Sequence, residues 1–416
     1  MSVARHADDR RQVAHGVLRR VLPVMLPTIT EFFAAALAGA KVGEPDWSDL
    51  EWRIARAVVV IHGISPLLSR RLSWSGPPGW RTFLESQRTH TASRYRRMAT
   101  LLANIGGQAA KANIVFVPLK GEALHAMEVY EAGDRPMADI DLLVKQQDLV
   151  PMGRLLAGLG YRPALVTADE HVLVPLNQPP QVHLGEHADS GITIELHATI
   201  RRPMPVRLVD ITAQLWPSAP RPGRNDYPSL AALMGHLLMH AAVNMQVRIL
   251  RMIQLHDMAL LAPRLSTTDW SALLAPGYGR APPWWAAPPL QLMKRYYPDA
   301  IPRGAIEAVN AGCSALLKYT APRLRLSDVS VSNPHRPVFP ALSWAGSFPE
   351  AFSCIGKRLH RGAQALRGGT ATQDTVDFQP WITRSYRRRV IDLLLGRPRT
   401  ETQMMVAAAL DHDQSP

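Results

Sequence analysis

The sequence predicts a small sheet-bearing domain, α/β or α+β, set between two helical regions. Three observations carry this. Apolar residues recur at helical spacing between Arg and Glu in Leu50–Val60 and Thr91–Leu102, and the same period returns over Tyr227–Leu261. Between these regions lie short, apolar runs, Asn113–Leu119, Asp139–Val144 and Ile192–Thr199, that read as strands. Helical stretches interleave with them at Gly121–Tyr130 and at Asp148–Leu159, the latter closed by Gly160.

In chain order, residues 1–112 form an N-terminal helical region, 113–225 the sheet-bearing domain and 226–416 a C-terminal helical region. Val21–Ala40 is apolar, but it carries Pro23, Pro27 and Glu31 and follows a polar start, so it reads as a buried or amphipathic helix and not as a spanning segment or signal peptide. His62-Gly63-Ile64-Ser65-Pro66-Leu67-Leu68 is a helix break and restart, and Ser75–Gly79 a loop. Arg162–Thr167 and Gln181–Leu184 are further strand candidates. Pro276–Pro289 reads as a linker in which Trp284 and Trp285 pack onto the domain, and helical stretches with Pro/Gly breaks follow to a loose tail. No internal repeat is present.

With 416 residues, 47% hydrophobic and 19% charged, the chain can bury a real core, which excludes wholesale disorder. The formal charge of +13 favours a polyanionic partner without choosing among nucleotide, nucleic acid and an anionic membrane face. The two cysteines, Cys313 and Cys354, are far apart, which excludes a disulfide scaffold and a Cys-based zinc site and suits a reducing, cytoplasmic setting.

The chemistry is concentrated in three segments. In Arg135-Pro136-Met137-Ala138-Asp139-Ile140-Asp141-Leu142-Leu143-Val144, strand alternation sends Ile140, Leu142 and Val144 into a core and Asp139 and Asp141 to the opposite face. Adjacent carboxylates repel unless a cation lies between them, and Mg²⁺ takes one or two carboxylates plus substrate phosphates. In Ile192-Thr193-Ile194-Glu195-Leu196-His197, the same alternation puts Glu195 and His197 on one face. If this strand pairs near the first, Glu195 becomes the third carboxylate of a two-metal clamp with ions about 3.5–4 Å apart. In Val117-Pro118-Leu119-Lys120-Gly121-Glu122, a strand ends and Lys-Gly opens a helix, which predicts a place for phosphate beside Lys120 and the Gly121 backbone.

Taken together, these segments resemble the nucleotidyltransferase superfamily with the polymerase-β type palm, and specifically its bacterial branch of uncharacterised nucleotidyltransferases. The matching stretches are Leu119-Lys120-Gly121 ahead of a helix ending in Tyr130, the Arg135–Val144 block, and Ile194-Glu195-Leu196-His197, with His62–Leu68 and with His240, Arg251 and Asp257 on the flanks. Two departures stand out: Lys120-Gly121 replaces the superfamily's Gly-Ser, and Ala198 stands where the branch often has an aromatic. The resemblance implies an α+β fold, a small mixed-sheet palm flanked by N- and C-terminal helical regions. It implies transfer of NMP from an NTP, with ATP as the expected nucleotide, to a hydroxyl of a peptide, protein, RNA or small molecule, with release of pyrophosphate. Asp139, Asp141 and Glu195 would be the catalytic metal ligands for Mg²⁺ (or Mn²⁺), Glu195 would help deprotonate the acceptor, and Lys120, Gly121, Arg135 and His197 would bind substrate. No membrane partner is implied.

Two other readings use the same residues. One is a catalytically silent nucleotide-binding scaffold, and the other a phosphoryl transferase with the same metal site. His236 and His240 are four apart on a helix but lack the Glu of a His-Glu-x-x-His motif, so they read as satisfied core histidines. The Arg94-Tyr95-Arg96-Arg97 and Tyr386–Arg389 clusters are candidate nucleic-acid contacts, weighed against solvated helix faces.

Overall fold

The computed structural model describes residues 21–177, 183–204, 207–275, 282–333, 335–336, 342–356 and 397–398. It shows an α+β protein in which a six-stranded mixed sheet is covered on one face by two helices and on the other by a helical assembly drawn from both ends of the chain. The candidate at Tyr386–Arg389 lies outside the described residues.

The N-terminal helices are α1 (residues 21–37), α2 (Asp49–Ile61), α3 (Ser65–Arg71) and the long α4 (Trp80–Lys111). Leu22, Leu26, Ile29, Phe33 and Leu37 give α1 one buried stripe at helical spacing, as expected for an amphipathic helix. Ser48 and Glu51 start α2 with a capping box, which satisfies two otherwise orphaned backbone donors. Among the described residues no helix is long and apolar enough to cross a membrane.

The sheet elements are β1 (Val115–Pro118), α5 (Gly121–Ala126), β2 (Asp139–Val144), α6 (Leu149–Gly158), β3 (Tyr161–Val166), β4 (Glu170–Pro175), β5 (Thr193–His197), the β6 (Arg201–Met204) and β7 (Arg207–Asp210) ribbon, α7 (Thr212–Leu215) and β8 (Gly223–Arg224). The strand order is β3-β4-β5-β2-β1-β8, with β2–β5 and β1–β8 parallel and the other neighbours antiparallel. Ile140, Leu142 and Val144 of β2, with Ile194 and Leu196 of β5, pack against Met98, Leu102 and Ile105 of α4 and Leu149, Met152 and Leu156 of α6. Leu143 and Val117 belong instead to the larger core with α1–α3 and the C-terminal helices α8 (Leu230–Gln246), α9 (Met252–Leu261), α10 (Thr267–Leu274) and α11 (Ala287–Tyr296). Both faces of the central strands are thus fixed by alternation, and the polar residues of β2 and β5 face the helical assembly.

Several boundaries differ from the sequence reading. The helix expected over Gly121–Tyr130 stops at Ala126, because Glu128 turns left-handed (φ 53°). Its N–H bonds to His125 O (3.0 Å) and that of Val129 to Leu124 O (3.0 Å), a Schellman stop built without glycine. The same device at Arg248 (φ 58°), with Ile249 N–H on Asn244 O at 2.8 Å, divides the helix read over Tyr227–Leu261 into α8 and α9. Strands β4, β6, β7 and β8 lie outside the runs that the sequence predicts as strands. Of Gln181–Leu184, residues 181–182 lie outside the described residues, while His183 and Leu184 are not in a strand. The loop read to Pro289 ends earlier, with α11 starting at Ala287; Trp285 is buried in the core, as expected of a packing residue.

Candidate active site

Strands β2 and β5 pair in parallel with Asp141 opposite Glu195, Asp139 opposite Thr193 and Leu143 opposite His197. Residues opposite each other in a ladder put their side chains on the same face, so Asp139, Asp141, Glu195 and His197 converge. All four line a cavity of about 360 Å³ between the sheet and α8–α9, together with Lys120, Gly121, Glu122, Arg135, Arg202, His236, His240 and Arg251. One ligand atom from each of Asp141, Glu195 and His197 lies within 4.8 Å of the others.

Asp141 is the hub. Its Oδ1 accepts hydrogen bonds from Lys120 Nζ and His197 Nε2, each at 2.9 Å. Burial opposes its charge, but Lys120 and His197 outweigh it and hold the carboxyl far below the usual carboxylate range. Burial also opposes the charge on His197, yet its bonds to Asp141 and Glu195 raise it to about 9. Lys120 is likewise shifted up, Asp141 overcoming the cost of burial. Asp139 has no cation of its own, and burial and the Asp141 charge push it up to about 6.

Lys120 therefore does not stand free for a phosphate, as its place before a helix suggested; its ammonium is committed to Asp141. Its backbone is strained (φ 54°), with the N–H held by the Tyr227 hydroxyl at 3.3 Å. The space above Gly121 is taken as well: a Cβ there would run into Arg135 Nη1, so packing of Arg135 accounts for the glycine. Helix α5 has only six residues, too short to act as the phosphate-facing helix that was expected. Arg135 makes a two-pronged ion pair with Asp257 of α9 (2.8 Å each), and Tyr130 donates to the same carboxylate at 2.8 Å. Its first role is to tie the lead into β2 to α9. The acids of its own loop, Glu131 and Asp134, pair with Arg70 and Arg88 instead.

The Arg94–Arg97 cluster is mostly internal. Arg94 Nη2 donates to Ala138 O (2.7 Å) and Gly191 O (2.9 Å), the carbonyls just ahead of the two carboxylate strands. Arg97 reaches Ala188 O, Tyr95 stacks on His125, and only Arg96 is exposed. Arg94 is thus a brace between the strand entries and not a nucleic-acid contact. His236 bonds the Tyr227 hydroxyl at 2.7 Å, and His240 lies beside Asn244 and Gln254, as satisfied histidines should.

Of two further cavity residues, Glu122 carried no legible signal as a site group, and Arg251 was marked only as a flank position of the family resemblance. Glu122 is buried, with Oε1 unpartnered, and burial followed by the Asp141 charge raises its carboxyl well above the usual range. Arg251, from the turn between α8 and α9, reaches the cavity although it is far from the carboxylates in sequence.

A sequence model of one protein family, described as "Uncharacterised nucleotidyltransferase", matches residues 48–277, more than half of the chain. The chain belongs to that family. No curated protein and no solved structure matches it. The match begins at the Ser48 cap of α2 and ends just beyond α10, so it takes in every strand of the six-stranded sheet and all the cavity residues. The protein is a nucleotidyltransferase with a nucleotide substrate, an activity that generally uses divalent metal. The donors fit such an ion: the Asp141 and Glu195 carboxylates converge beside His197, and the buried carboxylate at their centre already draws cationic groups to itself.

Proposed function

We propose that this nucleotidyltransferase transfers NMP from an NTP, ATP being the expected nucleotide, to a hydroxyl of a peptide, protein, RNA or small-molecule acceptor, releasing pyrophosphate. The observation that carries the reading is the parallel pairing that sets Asp141 opposite Glu195 over a cavity with Asp139 on the same wall. Asp139, Asp141 and Glu195, with His197 beside them, would hold Mg²⁺ or Mn²⁺. A bound divalent ion supplies charge stabilisation at the α-phosphate and lowers the pKa of the attacking hydroxyl. Glu195, more exposed than Asp141, accepts the hydroxyl proton as the oxygen attacks phosphorus and the bond to pyrophosphate breaks. His197 orients Asp141 and Glu195 through Nε2, at 2.9 and 3.6 Å. The chain mostly positions groups and neutralises charge, which is what this chemistry asks of a protein.

Lys120 on Asp141 is the one observation that favours a silent nucleotide-binding scaffold, since an ammonium stands where a cation ligand is needed. Labelled NTPs separate the readings. The full chain is incubated with each α-³²P NTP, Mg²⁺ or Mn²⁺ and a cell extract. Transfer is expected with at least one NTP and is lost in Asp141→Asn. In a parallel incubation with each γ-³²P NTP, label transferred to an acceptor indicates phosphoryl transfer instead. Absence of any label transfer, or transfer indifferent to Asp141→Asn and Glu195→Gln, overturns the enzymatic reading of this site.

A further inference from the structure

We propose that Arg251 forms the anion site that receives the polyphosphate tail of the nucleotide, held in place for that purpose by the His62-Gly63 turn. This rests on the nucleotidyl-transfer reading above and adds the residue that grips the leaving group.

Arg251 caps the N-terminus of α9 and is clamped by the end of α2. Its Nε donates to Ile61 O at 2.8 Å. The next two backbone N–H groups are taken by the same turn, Met252 by His62 Nδ1 (3.0 Å) and Ile253 by His62 O (3.2 Å). Gly63 has φ 69°, and a Cβ there would lie 2.8 Å from Arg251 Nη2. The turn that is conspicuous in the sequence thus has a physical role. The carbonyl entering it fixes the plane of the guanidinium, and its glycine leaves room for that group.

With Nε used, the terminal nitrogens are what Arg251 brings to the cavity. The cavity's other inner cations are spoken for, Lys120 by Asp141 and Arg135 by Asp257. Arg251 has no carboxylate within ion-pair distance among the described residues. A half-buried guanidinium with no carboxylate in contact is costly, and a phosphate chain is the anion its planar fork matches best. Burial shifts Arg251 below its ordinary pKa, and the charge of Glu186, which is not in contact with it, offsets that only in part. Arg202 also lines the cavity, but it stands on the β6–β7 ribbon with Nη1 on the carbonyl of Arg201, so it supplies charge without a fixed fork.

The test is calorimetric titration of the full-length protein with ATP, AMP and inorganic tripolyphosphate, each with Mg²⁺. Arg251→Gln is expected to weaken ATP and tripolyphosphate at least about tenfold, the scale of a lost charged hydrogen-bond pair, while AMP changes less than about twofold. Arg202→Gln removes the same charge from the same cavity and is expected to cost less than about threefold. Should the glutamine variant fail to fold, Arg251→Lys is read instead. A single lysine nitrogen lacks the fork that sets Nε on Ile61 O and leaves two further nitrogens for an anion, so it also loses tripolyphosphate selectively. Equal losses for ATP and AMP, no loss, or equal losses in the Arg251 and Arg202 variants overturn the assignment. If the unaltered protein binds ATP normally in those cases, nucleotidyl transfer survives while this site does not. If it binds neither ATP nor tripolyphosphate, both fall.

Discussion

At the scale of single residues, the site is organised by what neutralises Asp141. A buried carboxylate with two like charges nearby needs a cation, and Lys120 and His197 fill that need. A divalent ion held as proposed would compete with Lys120 for Asp141, and the ammonium would have to move for it to enter. Lys120→Met is expected to lower stability without metal by about 3 kcal/mol, since one partner of a largely buried pair is lost. It is also expected to bind Mn²⁺ more tightly than the unaltered protein. Thermal melts with and without Mn²⁺ measure both, and the larger metal-induced rise in Tm should belong to the variant. An unchanged or weaker Mn²⁺ response would mean that Lys120 supports the metal site and does not occupy it. Gly121 gives a second residue-scale expectation. Gly121→Ala would push a methyl into Arg135 and Met137, so it should cost about 1–3 kcal/mol by overpacking, read as a lower Tm.

At the scale of elements, the cavity exists because α9 is fastened to both the sheet lead and α2. The Arg135–Asp257 pair makes the first fastening and the His62–Arg251 turn the second. Asp257→Asn leaves Arg135 buried without its counter-charge and should destabilise by about 3–5 kcal/mol. Replacing both partners with apolar residues of similar size, Arg135→Met with Asp257→Leu, should recover much of that loss. Urea unfolding of the single and double variants gives the coupling, and a double variant no better than the single one would deny that the cost comes from a stranded charge. This scale also shows what the sequence could convey. The two carboxylate strands were legible because alternation with Ile140, Leu142, Ile194 and Leu196 is a local, period-two signal. The stops of α5 and α8 were not, because Glu128 and Arg248 turn left-handed where the usual glycine is missing. Strand β8 was hidden for a different reason. It is two residues long and is defined by its pairing with β1, which no local pattern announces. Partner choice was hidden likewise: nothing near Lys120, Arg135 or Arg251 in sequence says which carboxylate, if any, each will meet.

At the scale of the whole molecule, the helices from both ends of the chain share one core and enclose histidines that stay uncharged. Burial, the largest cause in each case, holds His62, His236 and His256 near 3 and His125 near 4. Their hydrogen bonds suit the neutral ring: His62 Nδ1 accepts from Met252 N–H, and His236 shares a proton with Tyr227. These groups are depressed below their unfolded value of about 6.5, so the unfolded chain binds the extra protons. Their contribution is fully present above about pH 6.5 and is lost progressively as pH falls toward 3–4. One pH unit below 6.5, each costs about 1.4 kcal/mol. His197 at about 9, Asp139 at about 6 and Glu122, raised well above the usual carboxylate range, act in the opposite sense as pH falls, so the histidine contribution is read from the difference between the unaltered protein and a variant lacking one ring. Melting of both followed by circular dichroism measures it. His256→Gln should lose less Tm than the unaltered protein as pH falls from 7.5 to 5.5, because one proton-uptake site is removed while polar contact with the Tyr297 hydroxyl remains in reach. If His256→Gln and the unaltered protein change in Tm equally from pH 7.5 to 5.5, the His256 ring is charged or accessible in the fold, and the enclosing core is looser than its packing indicates.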